Sequence, residues 1–270
     1  IIGIACVLLA GGFILYVVLN AEDIDPGKIN FVSSSLMYDN KGEEVAVLAT
    51  EKRKVITYED LPQVVVDALV ATEDSRFFEH NGFDAPRFIV ATVKQLLGKK
   101  DAGGASTLTM QVVKNNLTSR KSSGIDGIIR KFTDIYLAVF KLEKNYTKEQ
   151  IIEFYLNDNF LGSNAYGIEQ ASETYFGKNV KDLTLTEAAL IIGLYQSPGS
   201  YDPYVNPEAA EKRRSTVLYL MRRHGYITKE EEKIANSIPV ASLLVGKTSN
   251  NDYQGFIDTV IAEIEKKTGK

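Results

Sequence analysis

The first 19 residues, IIGIACVLLAGGFILYVVL, contain no charged side chain, and this run constrains the fold more than any other feature of the sequence. A helix needs about 20 apolar residues to cross a bilayer, whereas a secretory signal has a shorter apolar core and a small-residue cleavage site. Tyr16 is a residue type typical of the membrane interface. The sequence therefore predicts a transmembrane helix over residues 1–20. A cleaved signal and a buried core helix are the alternatives.

The rest of the chain has the composition of a globular protein. Of all 270 residues, 44% are hydrophobic and 24% are charged. The net charge of −4 argues against a general nucleic-acid-binding protein, since such proteins carry basic patches. The single cysteine, Cys6, excludes an internal disulfide framework, and the two histidines, His80 and His224, do not indicate a zinc site.

Short sequence signals predict a mainly α-helical body with one small β element. The stretch INFVSSSLMYDNKGEEVAVLAT predicts a β-hairpin that turns at DNKG. A helical apolar stripe begins near Leu61, and a long apolar helix is expected over residues 126–144. Helix starts are predicted at these caps and capping boxes: Asp84 with Pro86, Ser106, Thr147 with Gln150, Thr184 with Glu187, Asn206 with Pro207, and Thr228 with Glu231.

Two predicted helices carry narrow polar stripes on otherwise apolar surfaces. In STLTMQVVKN, Thr107, Gln111 and Lys114 fall on one face at 100° per residue. In GIIRKFTDIYLAVFKLEK, Arg130 and Asp134 are one turn apart, with Lys131 beside them. These side chains form either ordinary surface stripes and an i, i+4 ion pair, or a cationic clamp for a phosphate or pyrophosphate. No nucleotide P-loop motif accompanies them.

The stretch VATEDSRFFEHNGFD, residues 70–84, places an acid at the end of an apolar helix. Glu73 follows Val70 and Ala71 and precedes two phenylalanines. A carboxylate in such surroundings is suited to act as a general acid or base. Taken alone, the stretch is equally consistent with a helix end that carries surface charges.

Four motifs in order carry a resemblance to a known family. They are EDSRFFEHNG, GASTLTMQVVKN, RKFTD and YLNDNFLG, and YGIEQASETYFGK and GLYQSPGSYDPYVNPEAAEKRR extend the likeness, which covers about residues 36–231. On these motifs the chain resembles the peptidoglycan glycosyltransferases of family 51. Two positions depart from the family pattern: Met110 replaces the first of two glutamines, and Asp134 replaces a glutamate, so this carboxylate is one methylene shorter.

The resemblance implies a fold and a domain organisation. The expected fold is a lysozyme-like helical domain with a small membrane-facing jaw lobe, and NNLTSRKSSGIDGII falls where the family has its mobile jaw. We expect a membrane anchor at 1–20, a linker with the β-hairpin at 21–58, the glycosyltransferase domain at 59–240, and the start of a linker to a transpeptidase domain at 241–270. The resemblance also implies a bacterial membrane location, with the catalytic domain on the extracytoplasmic side.

The resemblance further implies the reaction and the residues that perform it. Such enzymes polymerise lipid II into glycan strands, with inversion at the donor anomeric carbon and release of undecaprenyl pyrophosphate, and moenomycin inhibits them. Glu73 is expected to be the general base, with Asp134 supporting the cations as the second catalytic residue. The implied substrate-binding residues are Asp74, Phe77, His80, Ser106, Thr107, Gln111, Lys114, Arg130, Lys131 and Asn157.

Partners and cofactors are also expected from the resemblance. The implied partners are lipid II, the growing glycan strand, the bacterial membrane and proteins of cell-wall assembly. Mg²⁺ or Mn²⁺ is a family-level expectation without identified ligands, and no organic cofactor is implied. The alternative functions are a lysozyme-like enzyme that cleaves glycan strands, which needs no cation cluster, and a non-catalytic cell-wall scaffold, which the Met110 and Asp134 departures suggest.

Overall fold

The computed structural model describes residues 2–21, 35–38, 40–41, 44–48, 52–98, 104–118 and 124–246, and two isolated positions, 263 and 267. The chain divides into two compact units. Unit 1 contains Ile1–Asn30 and Leu69–Leu156, and unit 2 contains Phe31–Ala68 and Asn157–Lys270.

The described residues are mainly helical, as predicted. The helices are α1 Ile2–Asn20, α2 Gln63–Glu73, α3 Ala85–Leu96, α4 Leu108–Asn116, α5 Gly124–Leu137, α6 Glu143–Asn145, α7 Lys148–Asp158, α8 Ile168–Phe176, α9 Leu185–Leu194, α10 Pro198–Tyr201, α11 Pro207–Arg223 and α12 Lys229–Ser237. A π-helical segment, Ala138–Leu142, joins α5 to α6, and 3₁₀ turns occupy Tyr58–Asp60, Val180–Asp182 and Val240–Ser242. The strands are β1 Ser35–Tyr38, β2 Glu44–Leu48, β3 Lys52–Arg53 and β4 Ala165–Tyr166.

Most predicted helix starts are confirmed by their capping hydrogen bonds. Asp84 accepts a hydrogen bond from the Arg87 amide, and capping boxes close on Thr184 and Thr228. The side chains and amides of Thr147 and Gln150 also bond reciprocally. The prediction of Ser106 as a cap was wrong by one residue, because Thr107 caps α4 and accepts from the amide of Met110.

In unit 1, the loop after α2 contains Gly82, whose backbone lies close to the backbone of a later helical segment. Gly82 has φ +82°, and a Cβ there would lie 2.9 Å from both the carbonyl carbon and oxygen of Ala138 in the π-helical segment. The carbonyl of Gly82 accepts a hydrogen bond from Thr107 Oγ1 at 2.7 Å. Only glycine combines this conformation with this contact. The loop is therefore fixed to both α4 and the helical segment beyond α5.

Unit 2 is built around α9, in which all nine residues from Thr186 to Leu194 are buried. Helix α11 packs along α9. Arg214 of α11 is fully buried and donates to the carbonyl of Ile238 at 2.6 Å, which ties α11 to the segment after α12. Strands β3 and β4 pair in parallel, with Lys52 opposite Ala165.

Strands β1 and β2 pair in an antiparallel ladder, with Ser35 opposite Leu48 and an irregularity between Met37 and Tyr38. Within the described part of the chain, the structure contains no helix with the length and apolarity required to cross a membrane. Parts of the sequence expectations lie outside the described residues. These are positions 22–34 of the linker expected at 21–58, the centre of the jaw segment at 119–123, and nearly all of residues 247–270 in the linker expected at 241–270.

Candidate active site

Glu73 is the last residue of α2, and its carboxylate is tied to α4. It is half-buried, and its Oε2 accepts a hydrogen bond from Gln111 Nε2 at 3.0 Å. The hydroxyl of Tyr155 lies 3.5 Å from the amide oxygen of Gln111 and donates to it. The Glu73 carbonyl also accepts from Arg87 Nη1 at 2.9 Å. Both the backbone and the side chain of Glu73 are therefore held in place.

Asp74, the adjacent acid, is fully buried and serves a different purpose. Its Oδ2 accepts from the Leu108 amide at 3.0 Å, in the first turn of α4. Its Oδ1 lies 3.3 Å from Arg87 Nη1, and His80 Nε2 lies 3.1 Å from Oδ2. A carboxylate is stabilised at a helix N-terminus, where it meets free amides and the positive end of the dipole. Asp74 thus joins the end of α2, α3 and the start of α4.

Phe77 and His80 stabilise the loop between α2 and α3. Phe77 is fully buried, and the ammonium of Lys148 lies 4.3 Å from its ring centroid. The same ammonium donates to the His80 carbonyl at 2.6 Å and to Glu143 Oε1 at 2.7 Å. Thr109 of α4 donates to the same Glu143 oxygen at 2.6 Å. Lys148 therefore links this loop to α4 and α6.

Of the predicted stripe on α4, only part is accessible. Thr107 is fully buried, and its hydroxyl is used by Gly82 and Met110. Gln111 is half-buried and reaches Glu73, whereas Lys114, one turn further, is exposed. Helix α4 therefore presents Gln111 and Lys114 outward, while Thr107 fixes the start of the helix.

The predicted cations of α5 come together with one buried acid. Asp134 is 3% exposed, and its Oδ1 accepts from Thr118 Oγ1 at 2.9 Å. The other carboxylate oxygen, Oδ2, lies 3.7 Å from Arg130 Nε, beyond hydrogen-bond distance, and this Nε has no hydrogen-bond partner among the described residues. Lys131 Nζ donates to Ser106 Oγ at 2.7 Å, just before the cap of α4.

The electrostatics of this cation cluster, which consists of Lys114, Arg130 and Lys131, are set by burial. Burial lowers the pKa of the Lys131 ammonium. The carboxylate of Asp134 opposes this shift, and the positive charges of Arg130 and Lys114 add to it. Burial also raises the pKa of Asp134, although the Thr118 hydrogen bond and the nearby cations oppose the rise. Three cations thus face one carboxylate, which leaves an excess of positive charge suited to an anion.

Asn157 lies in unit 2 and is nearly fully buried. Its Oδ1 accepts from the amide of Ile56 at 3.0 Å, and its Nδ2 donates to the carbonyl of the same residue at 2.9 Å. Both ends of the amide are therefore engaged by the backbone, which fixes the chain before α2.

One group of carboxylate and histidine side chains could offer ligands to a divalent cation. Asp74, His80 and Asp84 each offer a ligand atom, and these atoms all lie within 4.8 Å of one another. However, Asp84 is held by the guanidinium of Arg76 at 2.6 and 3.0 Å, and Asp74 contacts that of Arg87. A metal ion would have to displace both positive groups, so this cluster does not fit Mg²⁺ or Mn²⁺.

Three residues of the site had not been singled out in the sequence. They are Arg87, Thr118 and Lys148, which contact Asp74, Asp134 and the His80 carbonyl, respectively. Arg87 lies within the first turn of α3, where a basic residue has no favourable dipole interaction, and this was the one available signal. Nothing in the sequence pattern indicated Thr118 or Lys148.

Comparisons with known proteins show the family to which the chain belongs. The family model described as transglycosylase matches residues 41–222. Penicillin-binding protein 1A of Streptococcus oralis is 38% identical over 270 residues, covering 98% of this chain and 42% of that protein. Penicillin-binding protein 1A/1B of Bacillus subtilis is 38% identical over 269 residues, covering 96% of this chain and 29% of that protein. The chain therefore spans less than half the length of these curated relatives.

A solved structure is also similar in fold. The crystal structure of penicillin-binding protein 1A from Haemophilus influenzae matches with a TM-score of 0.51 and 24% identity, over 89% of this chain and 25% of that chain. The family model and the curated relatives define the class of the protein as a transglycosylase domain. The chain belongs to the transglycosylase family, which confirms the resemblance to the family 51 enzymes and the expected class, a peptidoglycan glycosyltransferase.

Proposed function

We propose that the chain polymerises lipid II into glycan strands, inverting the donor anomeric carbon and releasing undecaprenyl pyrophosphate. The observation that carries this proposal is the surroundings of α4. One turn of this helix holds the Glu73 carboxylate through Gln111, and the next turn carries Lys114 of the cation cluster. A base for the attacking hydroxyl and cations for the departing phosphates are the two requirements of this reaction.

Glu73 is the general base in this proposal. Gln111 orients the carboxylate through Oε2, and no donor among the described residues engages Oε1. That oxygen would take the proton of the acceptor's 4-hydroxyl as this hydroxyl attacks the anomeric carbon. A positioned base of this kind contributes about 10²–10⁴-fold to rate. Because Glu73 is fixed at both backbone and side chain, little reorganisation is needed as the proton is transferred.

The cation cluster stabilises the leaving group. As the anomeric bond to oxygen breaks, the electron pair stays on the pyrophosphate, and negative charge increases beside Lys114, Arg130 and Lys131. Arg130 and Lys131 are partly buried and therefore interact more strongly with such charge than the exposed Lys114, because water screens them less. The short carboxylate of Asp134 supports the cluster from within. Cleavage of a glycan strand produces no pyrophosphate, so the cluster favours polymerisation over a lysozyme-like activity.

The remaining predicted residues fall into two groups in this proposal. Ser106 and Gln111 lie at the accessible side of α4 and bind the donor together with the cations. Asp74, Phe77 and Thr107 are buried, and together with the half-buried His80 they shape the site from beneath. Asn157 orders the chain before α2. Residues 59–240 form the catalytic domain, with a lysozyme-like body and a jaw lobe. No step requires a metal ligated by the acidic cluster.

We further propose that the domain works at the extracytoplasmic face of the bacterial membrane, held by residues 1–20. The support is the absence of charge from residues 1–19 and the exposed apolar side chains of unit 1. On α3, Ile89 is 61% exposed and Leu96 is 83% exposed. Phe13 of α1 packs edge-on against Phe132 of α5, with 5.1 Å between ring centroids. An exposed apolar surface in the same unit as the proposed active site is what an enzyme needs if its substrate carries a lipid tail.

The proposal is tested by lipid II polymerisation with the Glu73→Gln variant. Polymer from the native chain and a loss of at least about 100-fold in the variant are expected, since the amide cannot accept the proton. Glu79→Gln is the matched control, because Glu79 lies six residues away with a side chain that is 68% exposed. Equal polymer from the native chain and Glu73→Gln would refute the role of Glu73. Shortened glycan strands would favour the lysozyme-like alternative, and no reaction from the folded native chain would favour a scaffold.

A further inference from the structure

The hydrogen bond between Thr118 and Asp134 joins the two helices that carry the cations. Thr118 lies two residues after the end of α4, and its Oγ1 donates to Asp134 Oδ1 at 2.9 Å. Asp134 is 3% exposed and lies one turn after Arg130 on α5. Lys114 is in the last turn of α4. The bond therefore spans the two helix segments on which the three cations are mounted.

We propose that Thr118 is a positioning residue for the binding of pyrophosphate. Through its hydrogen bond to Asp134, Thr118 sets the separation of Lys114 from Arg130 and Lys131. This inference rests on the proposed function. At the other end of α4, the Lys131 ammonium contacts Ser106 at 2.7 Å. Helix α4 is thus attached to α5 at both ends, once through a cation and once through the Thr118–Asp134 pair. Without the second attachment, the end of α4 that carries Lys114 loses its hydrogen bond to α5, and the separation of Lys114 from the other two cations is less well defined.

The short side chain at position 134 is consistent with this role. Its carboxylate bonds the hydroxyl of Thr118 and remains 3.7 Å from Arg130 Nε, so Arg130 is not neutralised by a close ion pair. A glutamate would carry the carboxylate about 1.5 Å further from the α5 backbone, the length of one carbon–carbon bond. It would thereby press on Thr118 or pair closely with Arg130. A hydroxyl donor at 118 and an aspartate at 134 therefore suit each other.

The experiment compares five forms of the full chain in detergent: native, Thr118→Val, Thr118→Ser, Asp134→Ala and the Thr118→Val/Asp134→Ala double variant. Thr133→Val is the matched control, since Thr133 lies on the same helix and its hydroxyl donates only to the Ile129 carbonyl, at 3.0 Å. Each form is measured for kcat and KM with lipid II, for affinity to inorganic pyrophosphate by calorimetry, and for thermal unfolding. The pyrophosphate measurement does not depend on turnover.

We expect Thr118→Val to weaken pyrophosphate binding and to lower kcat by about tenfold, which is the effect of losing one hydrogen bond to a charged group. Thr118→Ser should stay within about threefold of the native chain, and Thr133→Val within about twofold, by the same scale. In the Asp134→Ala background, Thr118→Val should add no further loss, because the two residues act as a pair.

Other outcomes would overturn the inference. Pyrophosphate affinity in Thr118→Val equal to that of Thr133→Val would do so, and so would additive losses in the double variant. A native chain that does not bind pyrophosphate would also contradict it. If the native chain binds pyrophosphate and makes no polymer, the proposed function fails, while a selective loss of binding in Thr118→Val still supports the positioning role. If Thr118→Val does not fold, Thr118→Ala replaces it, judged by the same coupling to Asp134→Ala.

Discussion

Replacing Asp74 with alanine separates two roles for this acid, because the sequence indicated substrate binding and the structure buries it completely. The substitution removes the acceptor of the Leu108 amide, which is itself fully buried, and the partner of Arg87. An unsatisfied buried amide costs about 1–3 kcal/mol. Removing one partner of a buried ion pair costs about 3–5 kcal/mol. The Arg87 side chain is 29% exposed and can be hydrated, which reduces the ion-pair cost. We therefore expect the two costs together to lower the free energy of unfolding by about 3–5 kcal/mol.

The assay for this prediction is thermal unfolding followed by circular dichroism, with lipid II kinetics on the same preparations. For a protein of this size, each kcal/mol corresponds to about 2–4 °C in Tm, so a fall of about 6–20 °C is expected. Asp182→Ala, an exposed acid in a 3₁₀ turn, is the control and should leave Tm unchanged within error. A loss of stability below about 1 kcal/mol, together with a raised KM for lipid II, would contradict this prediction and indicate that Asp74 binds the substrate.

Three further variants test the surroundings of the site. Lys148→Met leaves Glu143, with 7% side-chain exposure, without its cation, and denaturant unfolding should show a loss of about 2–4 kcal/mol; an unchanged midpoint would contradict this. Gly82→Ala places a Cβ 2.9 Å from Ala138 at φ +82°, and a loss of about 2–4 kcal/mol is expected by the same measurement, whereas Gly98→Ala, with nothing within 4 Å, should cost less. Lys131→Met should raise Tm at neutral pH while polymerisation falls. Burial lowers the folded-state pKa of Lys131, so the stability that this group contributes is present above its unfolded-state pKa and is lost as pH falls through the folded-state pKa. Neutral pH lies below the unfolded-state pKa, so Lys131 disfavours folding there and its removal should raise Tm. For the same reason, the pH–rate profile should fall on the alkaline side, and Lys131→Arg should move that fall to higher pH; a profile that does not move would show that another group titrates.

Local signals in the sequence were enough to locate most helix starts. At Thr184 and Thr228, a hydroxyl residue and a glutamate three positions later satisfy each other's backbone amides. The two residues that form the sequence signal are therefore also the residues that form the cap. Position 106 shows the limit of this reasoning. Ser106 and Thr107 are both good caps. In the structure Thr107 caps α4, whereas the Ser106 hydroxyl accepts from the ammonium of Lys131, 25 residues further along the chain.

Helical periodicity predicted the extent of the long helix of unit 1 but not its geometry. The expected helix at 126–144 corresponds to α5, the π-helical segment and α6, which follow one another from Gly124 to Asn145. An inserted residue in a helix leaves no mark on the apolar pattern over one turn. The π-helical segment begins at Ala138, whose carbonyl the Gly82 loop approaches closely, and this contact between distant parts of the chain cannot be read from periodicity. The same limit applies to Thr118, whose partner, Asp134, is 16 residues further along the chain.

The two adjacent acids, Glu73 and Asp74, show why the site needed the structure. Their position alone does not distinguish them, because each is an acid at the end of an apolar helix, and only the family resemblance assigned the base to Glu73 and a substrate-binding role to Asp74. The Asp74 amide still bonds the Val70 carbonyl, so the helical geometry continues through it and turns its side chain inward to the start of α4. Glu73, one residue earlier and 100° away around the helix axis, must then face a different direction, where Gln111 meets it. The buried acid therefore attaches α4 to α2, and α4 in turn delivers Gln111 and Lys114. It follows that the rigidity of the proposed base comes from the neighbouring acid, and that damage to Asp74 should reach Glu73 through α4 rather than directly.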